Sequence, residues 1–500
     1  MYAPDRLRFP TGRSVLRSLT ICGVLLGLTA CAVGSESTAL QAPADPPAGE
    51  LHPDATEAGL LVLGMLSRGA EALATGNAAE ALTFLDQAIE AGGEDSTALF
   101  LRGVAHLEVG DAESAQHDLE RALELKPDDV AAWCALARAR RAGDDLDGAV
   151  DAVTRAVELS PDDVRLLTLQ GHMLIEAGRM DDAHEALEHA ARLDPANVET
   201  QRTLGILYTE AGDPAAAEQA WRAALALAPD DVMLHAGLAS CLRDLGRDEE
   251  ALASYREAIR LDPDNPVHQA NLASTSYRLN RLVEARDAYQ AALALESLPP
   301  HAHSFVALNY GVVLERLGDE QGAIDAYQES IDNDPERAEA HEALGLLLLD
   351  RGEEQGAYDH LGAAFDLDLV SPEAVLHLGL LADRIGVPER ARQCAALLDA
   401  WEESDVAVAY RRAQLLVRCH DPEVHDGPTA IGILQELVDG PLARSAAAWN
   451  MLAEALVGEG RFDDALKATD RALELVEPGD PAWNRSRDLR EHCLLSLVGN

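Results

Sequence analysis

Five residues between positions 419 and 426, Cys419, His420, Asp421, His425 and Asp426, are of the types that ligate zinc or move protons. Zinc needs convergent thiolate, imidazole or carboxylate donors, and in a sequence these arrive as two spaced pairs. The second Cys or His pair is missing here, so the segment reads as a polar loop. His184 and His189 stand five apart, off the i, i+4 face on which two helical histidines grip one ion, and read as surface residues. No phosphate-binding G-x-x-x-x-G-K-[ST], no G-x-S-x-G and no H-E-x-x-H occurs. The expectation is a chain that is not an enzyme and holds no metal or cofactor.

The elements that carry these residues are set by repetition. The stretch ELKPDD (124–129) returns as ELSPDD, RLDPAN, ALAPDD and RLDPDN, which puts Pro127, Pro161, Pro195, Pro229 and Pro263 34 residues apart each time. A fixed period of this length marks a repeat array whose units bury their apolar faces against their neighbours. With the proline as position 32, position 20 is Ala115, Ala149, Ala183, Ala217 and Ala251, and position 8 is Gly103, Ala137, Gly171, Gly205 and Ala239. In the unit from Val198, the segment 214–227 places Ala217, Trp221 and Ala224 on one helical face. Gly212 breaks the chain before it, Asp213 is placed to cap it, and Pro214 occupies its first turn, where a missing N–H costs nothing. The recurring motif is therefore a helix stop followed by a helix start.

This pattern resembles the tetratricopeptide repeat, a pair of antiparallel helices A and B with small residues at positions 8, 20 and 27. The resemblance implies an all-α, right-handed superhelical α-solenoid. In-phase residues extend it from Gly69, Gly76, Ala81 and Ala88 to Trp449, Gly460, Ala465 and Ala472, with an insertion holding Pro299 and Pro300. About twelve helix-turn-helix units are expected: about ten in 58–405, a degenerate one with a long inter-helix loop in 406–445, and a last one in 446–500. That last segment ends in a cap helix over 481–498 with a solvating outer face. The expected packing residues are Ala115, Ala149, Ala183, Gly205, Tyr208, Ala217, Trp221, Ala251 and Ala323.

The N-terminus is of another kind. Arg6, Arg8, Arg13 and Arg17 precede the apolar run LTICGVLLGLTA (19–30), which is too short to span a bilayer and suits a signal-peptide core. Leu28-Thr29-Ala30-Cys31 resembles the lipobox of bacterial lipoproteins, which implies cleavage before Cys31 and its lipidation. Residues 1–30 are then a leader, and 31–57, rich in Pro and Ala, a flexible tether. Multi-chain acylation gives a firm anchor, and Ala32 after the lipidated cysteine points to the periplasmic face of the outer membrane. Cys134, Cys241, Cys394, Cys419 and Cys493 are too scattered for a disulfide framework and read as small core residues.

A net charge of −47 argues against nucleic acid as a partner, since phosphate contacts need a basic face. In the resembled family, helices A line a concave wall, and positions 2, 5, 9, 12 and 13 touch the ligand. Carried onto this chain these positions give Arg138, Arg141, Arg165, His172, Arg202, Arg243, Tyr277 and Arg278. Guanidinium forks bind carboxylates bidentately, so an acidic segment of a protein partner is the expected ligand. Glu176, Glu210 and Asp244 share the wall, so the same arginines are placed to form exposed ion pairs worth about 0–1 kcal/mol each. The Lys and Asn of the family's carboxylate-clamp subtype are not reproduced at positions 5 and 9. The expected function is a lipid-anchored envelope scaffold that binds protein partners, and resemblance points to pilus or secretin assembly, outer-membrane biogenesis or cell-wall machinery. The alternatives are a regulatory or recognition subunit of an envelope glycosyltransferase or peptidoglycan hydrolase, and an anionic-ligand or glycan receptor. A receptor calls for an aromatic-lined pocket, whereas the tryptophans fall mostly at packing positions.

Overall fold

The computed structural model describes residues 57–499 apart from 296, 369 and 402–404. The expected leader, Cys31 and the tether up to residue 56 lie outside the described residues. Among those described there are twenty-five helices and no strand. They run as twelve antiparallel hairpins, from Glu57–Ala74 with Ala78–Gly92 to Ala446–Gly458 with Phe462–Glu474, and end in the single helix Pro481–Gly499. The chain divides into two compact units after Leu295. Seven hairpins belong to the first unit and five, with the final helix, to the second.

The punctuation acts as its chemistry requires. The last residue of each P-D-D motif caps the following helix A: Asp129 accepts from the Ala131 and Ala132 amides, and Asp231 from those of Met233 and Leu234. Asp213 accepts from the Ala216 N–H at 3.1 Å, with Pro214 at the first helical position. Between the two helices the chain turns through left-handed backbone at position 15, where Gly178, Gly212 and Gly246 have φ of 72–73°. Asp144 and Asn280 adopt φ of 62° and 56° at the same position without being glycine, as short polar side chains tolerate best.

A second tie recurs that the periodicity does not announce. The side chain at position 4 of a helix A donates an N–H to the carbonyl six residues back, at the preceding turn. Trp133 donates to Pro127 at 2.9 Å, His235 to Pro229 at 2.8 Å, His341 to Pro335 at 3.2 Å and Trp449 to Ala443 at 3.0 Å. Two residue types, Trp and His, share one role because each offers a planar N–H at similar reach.

Helix crossings are built from small residues. Ala115, Ala149, Ala183, Ala217, Ala251 and Ala323 are completely buried. A Cβ on Gly103 would stand 2.7 Å from Leu119 Cγ, and one on Gly205 2.6 Å from Trp221 Cε2. The Trp221 ring also reaches Gly237 of the next hairpin, where a Cβ would meet its far edge at 2.8 Å. Tyr208 is only half-buried and lies edge-on to His184, with ring centroids 5.7 Å apart.

In the second unit, the prolines of the insertion open a helix. Pro299 precedes and Pro300 begins the 18-residue helix Pro300–Leu317, more than a turn longer than the 13 residues of Val198–Glu210. The final helix corrects one expectation: Cys493 faces inward and is fully buried, but Leu494 and Leu495 on the outside are 38 % and 68 % exposed, so its outer face is not solvating throughout. A leucine pair next to the inward Cys493 leaves more apolar surface than one helical stripe can bury.

Candidate functional site

Along the helices A of the first unit, the structure gives each wall arginine a carboxylate. Arg138 faces Glu108 of the preceding helix A at 4.0 Å, and Arg141 faces Glu176 of the following one at 3.7 Å. His172 shares Glu176 at 3.9 Å. These contacts run along the wall from hairpin to hairpin. Arg165 is 81 % exposed and folds back on Asp163, the cap of its own helix, at 3.0 Å; that hydrogen bond holds Asp163 below the usual carboxylate range, against the effect of burial. Arg202 pairs with Glu199 one turn earlier, and Arg278 with Asp248 of the neighbouring hairpin at 3.2 Å. Tyr277 is half-buried. The eight residues therefore do not form one open basic strip, because acidic neighbours neutralise most of it.

Arg243 departs from its expected place on the open wall. Its side chain is 6 % exposed, with Ser240 Oγ at 3.3 Å and the Asp244 carboxylate at 3.9 Å. It turns inward toward Tyr255, whose ring fills the crossing that Trp221 fills one hairpin earlier.

The loop 419–426 is held by its own polar groups. Asp383, at the end of helix Pro372–Ile385, accepts the backbone N–H groups of His420 at 3.0 Å and Asp421 at 3.2 Å, and the His420 ring Nδ1–H at 2.8 Å. Arg392 donates to Asp421 at 2.7 Å and holds its carboxyl below the usual range. Among the described residues no three His, Cys, Asp or Glu side chains converge as a metal site would need. His184 contacts Glu188 at 3.0 Å and His189 lies 3.7 Å from Asp162, both at the surface. Burial pushes the Cys134, Cys241 and Cys419 thiols up to about 11 and Cys394 to about 12, so thiolate is scarce at neutral pH.

The tetratricopeptide models that match this chain are a cytochrome c-type biogenesis protein H TPR domain over 118–234, a TPR repeat over 241–280, and a tetratricopeptide repeat over 66–115, 270–338, 311–367 and 425–482. The chain belongs to the tetratricopeptide repeat family. Together the matched tetratricopeptide segments cover well over half of it, and proteins built from this repeat are in general interaction scaffolds that bind protein partners. No curated protein matches the sequence. Solved structures to which the chain is similar include a tetratricopeptide repeat protein of Parabacteroides merdae (16 % identity, 51 % of this chain and 98 % of that one, TM-score 0.41). Another is pilF of Pseudomonas aeruginosa (21 % identity, 44 % and 98 %, TM-score 0.39). A third is yeast Tom70 (16 % identity, 87 % and 96 %, TM-score 0.31). Among the described residues, no helix of this tetratricopeptide array is long and apolar enough to cross a membrane.

Sequence reasoning missed the ion pairs between helices, within a hairpin and from one hairpin to the next. Arg102 reaches Asp118 at 2.7 Å and Asp86 at 2.9 Å, and Arg247 reaches Glu218 at 2.7 Å. Separations of 16 and 29 residues have no local signature, although in a repeat of known register they fall between adjacent helices.

Proposed function

We propose that this chain is a lipid-anchored scaffold of the bacterial cell envelope, acting by binding rather than by catalysis, whose A-helix wall holds a protein partner during assembly of an envelope complex. The observation that carries this reading is the wall itself. Helices A from Ser96–Glu108 to Pro266–Arg278 present charged and aromatic side chains in the same phase, linked from hairpin to hairpin by Arg138–Glu108 and Arg141–Glu176. A segment crossing several hairpins meets equivalent contacts at each, so modest terms accumulate without a deep pocket. The envelope address is supported by the basic leader, its short apolar core and Leu28-Thr29-Ala30-Cys31. Pilus or secretin, outer-membrane and cell-wall machinery are the assemblies that fit this address.

The test is crosslinking and capture of the full chain from membranes, against a variant with Arg138→Glu and Arg141→Glu, which reverses two wall charges. A discrete protein partner that the variant loses is the expected result; capture that ignores the reversal contradicts the assignment of the wall. For the anchor, Cys31→Ser is expected to abolish acyl labelling and release the protein from the membrane fraction, and unaltered fractionation contradicts it.

A further inference from the structure

Two histidines meet inside one hairpin of the second unit. His341 lies on helix Ala338–Asp350 and His360 on its partner Glu354–Asp366, and both are half-buried. Their Nδ1 atoms are 3.1 Å apart and their ring centroids 5.3 Å, so the rings meet edge to edge. A contact this short between two nitrogens holds only when one donates and the other accepts. The second nitrogen of His341 decides which. Its Nε2 stands 3.2 Å from the Pro335 carbonyl, which can only accept, so the neutral ring carries its proton at Nε2 and presents a bare Nδ1. His360 then supplies the Nδ1–H, and its Nε2 keeps the lone pair that neither bond uses.

Protons therefore have two unequal places to go. The first adds to His360 Nε2 and leaves the bond between the rings in place. The second has only His341 Nδ1, where it would face the His360 Nδ1–H at 3.1 Å, donor against donor and cation against cation. The surroundings give little relief. Burial and the charge of His341 hold His360 below its ordinary value, and Asp359, beside it on its own helix, opposes them only in part. On the preceding side, Glu329 of helix Glu320–Asn333 is taken by His303 at 2.7 Å, and Asp334, in the turn that His341 reaches, by Arg337 at 2.9 Å. On the following side, Glu373 of helix Pro372–Ile385 lies 3.4 Å from Arg411.

We infer that His341 and His360 form an acid-sensitive latch, which ties the two helices of this hairpin while the pair is neutral and releases them when both rings are charged. This goes beyond the scaffold reading and is independent of it, because the latch works with no partner bound. Its direction follows from the proton count. Unfolded histidines titrate near pH 6.5, about the ordinary value. Below that, the open hairpin binds at least one proton more than the closed one. Closure is therefore complete above that pH and is lost as pH falls, with the opening constant rising about tenfold per pH unit.

The experiment is native-state hydrogen exchange of the full chain at pH 7.5 and pH 5, read as opening constants after division by the intrinsic exchange rates, in wild type and in His360→Gln. A glutamine amide is uncharged at both pH values and turns either its N–H or its carbonyl toward His341, so it keeps the tie whichever state His341 is in. The reference is hairpin 446–474, which contains no histidine and makes the same tie to the preceding turn through Trp449. Relative to it, wild-type amides of 338–366 are expected to open about tenfold or more readily at pH 5 than at pH 7.5. In His360→Gln that ratio should stay within about threefold. Nitrogen-15 histidine NMR of the wild type tests the latch even if the variant folds poorly: at pH 7.5, His341 is expected as the Nε2–H tautomer and His360 as the Nδ1–H tautomer. The opposite tautomers, a wild-type hairpin that opens no more readily in acid, or an equal acid response in His360→Gln overturns the latch.

Discussion

Trp221 provides the most exacting test of the packing account, because two glycines from successive hairpins touch its ring. In Gly205→Ala the new methyl would stand 2.6 Å from Cε2 and 2.7 Å from Cδ2, and the ring's far edge already faces Gly237 closely, so it has little room to retreat. Overpacking of this kind costs about 1–3 kcal/mol. The exchange also raises helix propensity by about 1 kcal/mol, which would blur a single measurement. Gly432→Ala removes the ambiguity: it lies inside helix Gly427–Asp439, is exposed, and a Cβ there meets nothing within 4 Å. The propensity gain is common to both variants, so their difference isolates the clash. Native-state hydrogen exchange suits a repeat array, whose hairpins open locally rather than all at once. Amides of 198–227 in Gly205→Ala are expected to exchange faster than wild type, whereas those of 427–439 in Gly432→Ala slow down. The gap between the two shifts should be about 5- to 150-fold in opening constant, from 1–3 kcal/mol. If both substitutions protect their helices equally, small residues are not what allows the helices to approach, and the reasoning fails.

Asp213→Ala removes the acceptor for the Ala216 N–H and should cost about 1 kcal/mol, whereas Arg165→Ala should change stability by no more than about 0.5 kcal/mol in urea denaturation. Trp133→Phe loses the N–H bonded to Pro127 together with part of the ring, for an expected cost of about 1 kcal/mol or more by the same assay. His268 is 3 % exposed with both ring nitrogens unpartnered, and burial holds its pKa below the ordinary value. Its unfolded form therefore takes up a proton first, near pH 6.5, so stability is complete above that pH and is lost as pH falls toward the folded value. His268→Leu should shrink the drop in melting temperature between pH 7.5 and 5.5, and an unchanged drop would contradict the assignment.

What the sequence made legible follows from which interactions are local. Gly212, Asp213 and Pro214 act within a turn of one another, so the hairpin, its cap and its boundary could be read directly. Ala217 and Trp221 could be placed because their phase repeats. The condition of the arginines could not, because it depends on residues one hairpin away: Arg138 on Glu108, Arg141 on Glu176, Arg102 on Asp86. Arg243 shows this most clearly, since a position counted as wall turned inward beside Tyr255. The insertion at Pro299–Pro300 was visible as extra residues, but only tertiary packing decided that they would extend a helix. The N–H at position 4 escaped notice because Trp133, His235 and His341 share a donor and not a residue type.

The most direct measurement of the central claim is site-specific photocrosslinking in intact cells. A photoreactive residue would be placed at Arg138 or His172 on the A-helix wall, and at Arg155 or Arg192, exposed on helices B. The account predicts that the wall positions capture a discrete protein and the B positions do not. Capture confined to the B positions, or equal at both, would contradict it.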